Sequence, residues 1–107
     1  MKHLELLSNI KRLAALGCTV KVDNVSLLID DIGVSSYEAE GIQRKIATEI
    51  AIDPIGMVGK LQFCRRCKEH RITPVAERVR NGRVEFRLPS GRWIDEQWNE
   101  VKNEWDF

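Results

Sequence analysis

The sequence predicts an α+β protein: a helix-hairpin-helix unit over residues 1–52, then an arginine-rich β-hairpin and a C-terminal amphipathic helix within residues 53–107. Three observations carry this prediction. Apolar residues recur at helical spacing near the start, an Asn81-Gly82 dipeptide sits between two alternating runs, and tryptophans recur at helical spacing near the end. The two units are small enough to share one core.

Leu4, Leu6, Leu7, Ile10, Leu13, Ala14 and Leu16 form the apolar stripe of a first helix, with Gly17 where a helix C-cap belongs. Two short β-prone runs, Cys18 to Val22 and Val25 to Asp30, flank Asp23-Asn24, residues that tolerate the positive φ of a tight turn. Ser35 or Ser36 caps a second helix, Ser35 and Glu38 having capping-box spacing, and Ala39, Ile42, Ile46 and Ile50 form its stripe. Asp53-Pro54 reads as a helix start that Gly56 and Gly59 weaken, so Ile55 to Cys67 fits two readings. As a helix it places Ile55, Val58, Leu61 and Cys64 on one face. As a strand it leads into a Cys-x-x-Cys turn.

Across Asn81-Gly82, a two-residue turn pairs Val79 with Val84, Arg78 with Glu85, Glu77 with Phe86 and Val75 with Leu88. One face then carries Val75, Val79, Val84, Phe86 and Leu88, and the other Arg78, Arg80, Arg83 and Arg87 with Glu85. Pro89-Ser90-Gly91 turns the chain. Asp95 is the expected cap of a last helix bearing Ile94, Trp98, Val101 and Trp105.

Charge is distributed in blocks. Residues 1–59 carry six basic and eight acidic side chains, 60–92 ten basic and three acidic, and 93–107 one basic and five acidic, so the net +1 conceals a basic middle. No apolar run approaches the ~20 residues of a membrane span. Met1-Lys2-His3 leads into an amphipathic segment unlike a signal peptide, and the three cysteines are an odd number, so the expectation is a soluble cytoplasmic protein with reduced thiols or metal ligands.

Cys64 and Cys67 have the spacing of half a zinc site, with His70 as a third ligand and His3, Cys18 or a second protomer as the fourth; the alternative is a buried thiol pair. The redox reading is the weakest, because a thioredoxin-like motif needs a βαβ setting. The basic face of Arg78, Arg80, Arg83 and Arg87 either grips phosphates or is a solvated face partly neutralised by Glu85 and the acidic end; near-neutral overall charge favours the second. Trp105 and Phe107 form an aromatic end flanked by acids, a contact element for a partner or a second copy of the chain. No Ser/His/acid set, phosphate-cradling glycine loop or His-Glu-x-x-His helix is present, so no enzymatic activity is expected.

The first half, through Leu6-Leu7, Leu13, Leu16-Gly17, Thr19-Val20-Lys21-Val22, Leu27-Leu28-Ile29 and Ile42 to Ile50, resembles the N-terminal docking domain of tubulysin-type peptide synthetases. Asp23-Asn24-Val25 departs from the family's turn glycine. The resemblance implies a hairpin that receives an extended peptide by strand addition, along Thr19, Val20, Lys21, Val22, Leu28 and Ile29. The expected function is therefore a protein-protein interaction module. In size and style the chain resembles phage or mobile-element accessory proteins, including anti-CRISPR inhibitors of host complexes. The competing expectation is a small nucleic-acid-binding regulator stabilised by zinc at Cys64 and Cys67.

Overall fold

A computed structural model describes residues 1–23 and 26–102. It is α+β. Three helices, α1 (His3–Ala15), α2 (Tyr37–Ile52) and α3 (Pro54–His70), accompany six strands: β1 (Thr19–Val22), β2 (Leu27–Asp30), β3 (Ala76–Arg80), β4 (Arg83–Arg87), β5 (Trp93–Asp95) and β6 (Glu100–Val101). β1 and β2 form a two-stranded sheet, and the others an antiparallel sheet in the order β3-β4-β5-β6. The chain divides into two compact units at Cys64 and Arg65, within α3, whereas the sequence suggested 52/53.

In the first unit, α1 ends as its sequence implies. Gly17, at φ 100°, lets its N–H reach the Ala14 carbonyl and the Cys18 N–H reach that of Leu13, which closes the last turn. α2 is capped by Ser36, whose Oγ accepts from the Ala39 N–H at 3.2 Å, so the box between Ser35 and Glu38 does not form. Glu38 instead meets Arg12 of α1 in a fork of 2.6 and 2.9 Å, and Lys45 meets Glu5 at 2.6 Å. Leu6, Leu7, Leu13, Ala39, Ile46, Met57, Leu61 and Phe63 are the unit's buried apolar side chains, with Cys18 and Cys64.

These two ion pairs make the stability of the unit depend on pH. Hydrogen bonds from Lys45 and Arg12 hold the Glu5 and Glu38 carboxyls below their ordinary 4.5. A carboxylate lowered on folding stabilises the fold above its unfolded pKa, and that contribution disappears as pH falls through the folded value. The Glu5 hydrogen bond raises Lys45 above 10.5, so its contribution is complete below 10.5 and is lost as pH rises through the raised value. Because all four groups are well solvated, a Glu38→Gln variant should melt only slightly below the native chain at neutral pH. The difference should vanish as pH falls through the lowered Glu38 value, and also in roughly 1 M salt. Thermal melts across pH and salt check this.

The ambiguous segment after Asp53 is helical throughout α3, so the Cys-x-x-Cys motif lies on a helix and not in a turn. Met57, Leu61, Cys64 and Cys67 are buried at i, i+4, i+7 and i+10, Phe63 is buried beside them, and Ile55 is 85% exposed. Gly56 favours the helix here. Its N–H donates at 3.0 Å to the Asp53 carboxylate, which folds back over the position a Cβ would occupy.

The second hairpin pairs Val79 with Val84, Arg78 with Glu85 and Glu77 with Phe86 as expected, but Val75 does not pair with Leu88: its N–H donates to the Arg87 carbonyl at 2.8 Å, beside Ala76 opposite Arg87. Among the described residues the expected C-terminal helix is absent. Trp93–Asp95 pairs instead with β4, placing Ile94 against Phe86, and Glu100–Val101 returns beside it. Two interactions explain the difference. The edge of β4 offers unsatisfied backbone groups to any extended neighbour. The Asp95 carboxylate, expected to cap a helix, accepts from the N–H groups of Gln97 (3.0 Å) and Asn99 (2.9 Å) and closes a tight loop. Within it Trp98 takes φ 71°, a left-handed conformation that costs a bulky residue about 1–2 kcal/mol. Its ring stacks on His70 at 4.4 Å and 3°, and Arg66 donates to the Glu96 carbonyl at 3.0 Å, so the last turns of α3 hold this loop.

Candidate functional site

In the β1–β2 hairpin, side chains alternate. Val20, Val22, Leu27 and Ile29 are half-buried; Thr19, Lys21, Leu28 and Asp30 are exposed. The backbone alternates as well. Asp23 N–H donates to the Ser26 carbonyl at 2.8 Å, so that pair is hydrogen-bonded, and strict alternation makes Lys21 and Leu28 the next such pair. Val22 with Leu27 and Val20 with Ile29 then fall in non-bonded pairs, whose N–H and C=O groups point away from the hairpin. As the sheet has only two strands, these groups line its outer edges.

The β2 edge has a neighbour that sequence reasoning missed. Ser26, Leu27, Ile50, Pro54, Met57, Val58 and Leu61 line a mainly apolar groove of about 220 Å³. Its residues come from three separate elements and share no motif, so no local signal marked it.

The arginine face differs from a row of free cations. Arg78 Nε donates to Glu85 Oε1 at 2.9 Å and Arg80 Nε approaches the same oxygen at 3.2 Å, while the Arg78 guanidinium lies 3.7 Å over the Trp93 ring. Glu85 is only 5% exposed. Arg80 also donates to the carbonyl of Lys102, the residue after β6, at 2.9 Å. β3 and β6 are the outer strands, which lie roughly 14 Å apart in a flat sheet, farther than an arginine reaches. The sheet therefore curls about this face. Arg83 and Arg87 remain exposed. The pairing of Arg78 with Glu85 was legible from the turn, but the stacking on Trp93 required the strand that sequence reasoning read as helix.

Cys64 and Cys67 are both buried, one helical turn apart, and His70 is exposed with its ring on Trp98. Among the described residues no group of three or more His, Cys, Asp or Glu side chains is placed to hold a metal ion. Two thiols are half the donor set of a tetrahedral zinc site, and among the described residues no third His, Cys, Asp or Glu joins them. His3 is buried with its ring edge-on to Phe63 at 5.6 Å, and Cys18 is buried in the first unit. Trp105 and Phe107 lie outside the described residues. Among the described residues no helix is long and apolar enough to cross a membrane.

No protein-family model matches the chain, and neither a curated protein nor a solved structure matches it.

Proposed function

We propose that this protein is a non-enzymatic binding module that takes an extended segment of a partner protein as an added strand on β2. The observation that carries the reading is the outward-facing backbone of Leu27 and Ile29 on β2, with Leu27 also lining an apolar groove. Backbone donors and acceptors along an edge recognise extended chain of any sequence, and the groove beside them accepts an apolar side chain of that chain. The order α1-β1-β2-α2 is also that of the docking domains the first half resembles. Phosphate recognition has less support, since Arg78 and Arg80 are committed to Glu85.

A displayed library of random extended peptides tests the reading. Selected binders should carry an apolar anchor, and on binding the Leu27 and Ile29 amides should gain protection from hydrogen exchange, while the Leu28 amide, already inside the hairpin ladder, changes little. Ile29→Pro removes an outward donor and should abolish binding; proline at Leu28 would break the hairpin itself. Binders that leave the Leu27 and Ile29 amides unprotected would refute strand addition at this edge.

A further inference from the structure

Residues 93–102 carry two competing instructions. Their sequence sets Ile94, Trp98 and Val101 at the i, i+4, i+7 spacing of a helix face, with Asp95 placed as an N-cap and Glu96 and Gln97 favouring a first turn. Their structure is the β5–β6 hairpin, whose strands have only three and two residues. Such a conflict between local preference and fold brings two conformations of one segment close in free energy. The hairpin is also held mainly from outside. Within 93–102 only Ile94 is fully buried. Trp98 sits at φ 71°, a strain that a helix would relieve, and its ring is kept there by stacking on His70. Arg66 donates to the Glu96 carbonyl at 3.0 Å and Arg80 to the Lys102 carbonyl at 2.9 Å. His70 is exposed, so the stack can part without uncovering a core.

From these observations we infer that residues 93–102 are a bistable strap over the edge of β4. Closed, the strap is the β5–β6 hairpin. Open, it leaves the sheet and winds into a short amphipathic helix capped by Asp95. One carboxylate serves both states: in the hairpin it accepts from the Gln97 and Asn99 N–H groups, and as an N-cap it accepts from those of Gln97 or Trp98. The Leu88 N–H bonds the Arg92 carbonyl, so by alternation Phe86 and Ile94 are the next hydrogen-bonded pair. Opening therefore bares the Phe86 backbone, and the strap controls access to this edge. A helix this short is marginal in water, so the closed state dominates and the open one holds about 0.1–10% of molecules.

Saturation-transfer NMR and amide hydrogen exchange on the full chain test this. The first should reveal a minor state in which the Cα shifts of residues 96–101 move to helical values. In the second, the Phe86, Ile94 and Asp95 amides should exchange together and ahead of the Arg78 and Glu85 amides, which lie in the β3–β4 ladder. His70→Ala removes the stack and should raise the minor population about two- to ten-fold, leaving exchange at Arg78 and Glu85 unchanged. A minor state with coil shifts overturns the inference. So does the absence of a minor state in both chains, an Ile94 amide that exchanges only with the Arg78 and Glu85 amides, or a population that His70→Ala leaves as it was.

Discussion

Replacing Glu85 with alanine should lower stability by about 3 kcal/mol, which for a domain of this size is a fall in Tm of roughly 10–20 °C. One carboxylate oxygen serves both Arg78 and Arg80 beneath the curl of the sheet. Removing it leaves two half-buried guanidinium groups facing each other without a counter-charge. The arginines retain some contact with water, their side chains being 31% and 25% exposed, so the loss falls at the lower end of the range for breaking a buried pair. Glu100, which meets Arg92 at 3.8 Å on the open surface, supplies the control: Glu100→Ala should change stability by no more than about 0.5 kcal/mol. Adding Arg78→Met to Glu85→Leu should recover part of the loss, because only Arg80 is then left without its counter-charge. If Glu85→Ala melts like the native chain, the cluster is solvated and does not organise the sheet. Thermal denaturation of the set separates the outcomes.

Phe63→Ala should cost about 3–5 kcal/mol, most of the ~5–10 kcal/mol available to a chain of this length. Phe63 has no exposed surface and receives the edge of the His3 ring. The deletion therefore combines lost burial with the cost of the cavity it leaves. Ile55→Ala, on the same helix, should be within about 0.5 kcal/mol of the native chain, because that side chain is already solvated. The pair of melts tests the orientation of α3. Reversed effects would mean that the helix buries Ile55 and exposes Phe63.

The amino-acid sequence by itself determined the α+β class, α1 with its glycine cap, the first hairpin, α2 and the register across Asn81-Gly82. In each case the signal is local. A stripe at 3.6 spacing, a residue that tolerates positive φ and a serine beside a helix start act within a few residues, so no distant partner can change their meaning. The tertiary structure decided the rest. Ile94, Trp98 and Val101 match a helical stripe, yet the open edge of β4 and the Asp95 carboxylate draw the segment into a hairpin. Asp53-Pro54 announced α3, while which face it buries depended on elements elsewhere in the chain. The same holds for function. The exposed strand was legible from alternation, whereas the groove beside Leu27 and the burial of Glu85 between two arginines arise only when separate segments meet. Long-range contacts set both the burial of a charge and the shape of a groove, and neither leaves a periodic trace in the residues that form it.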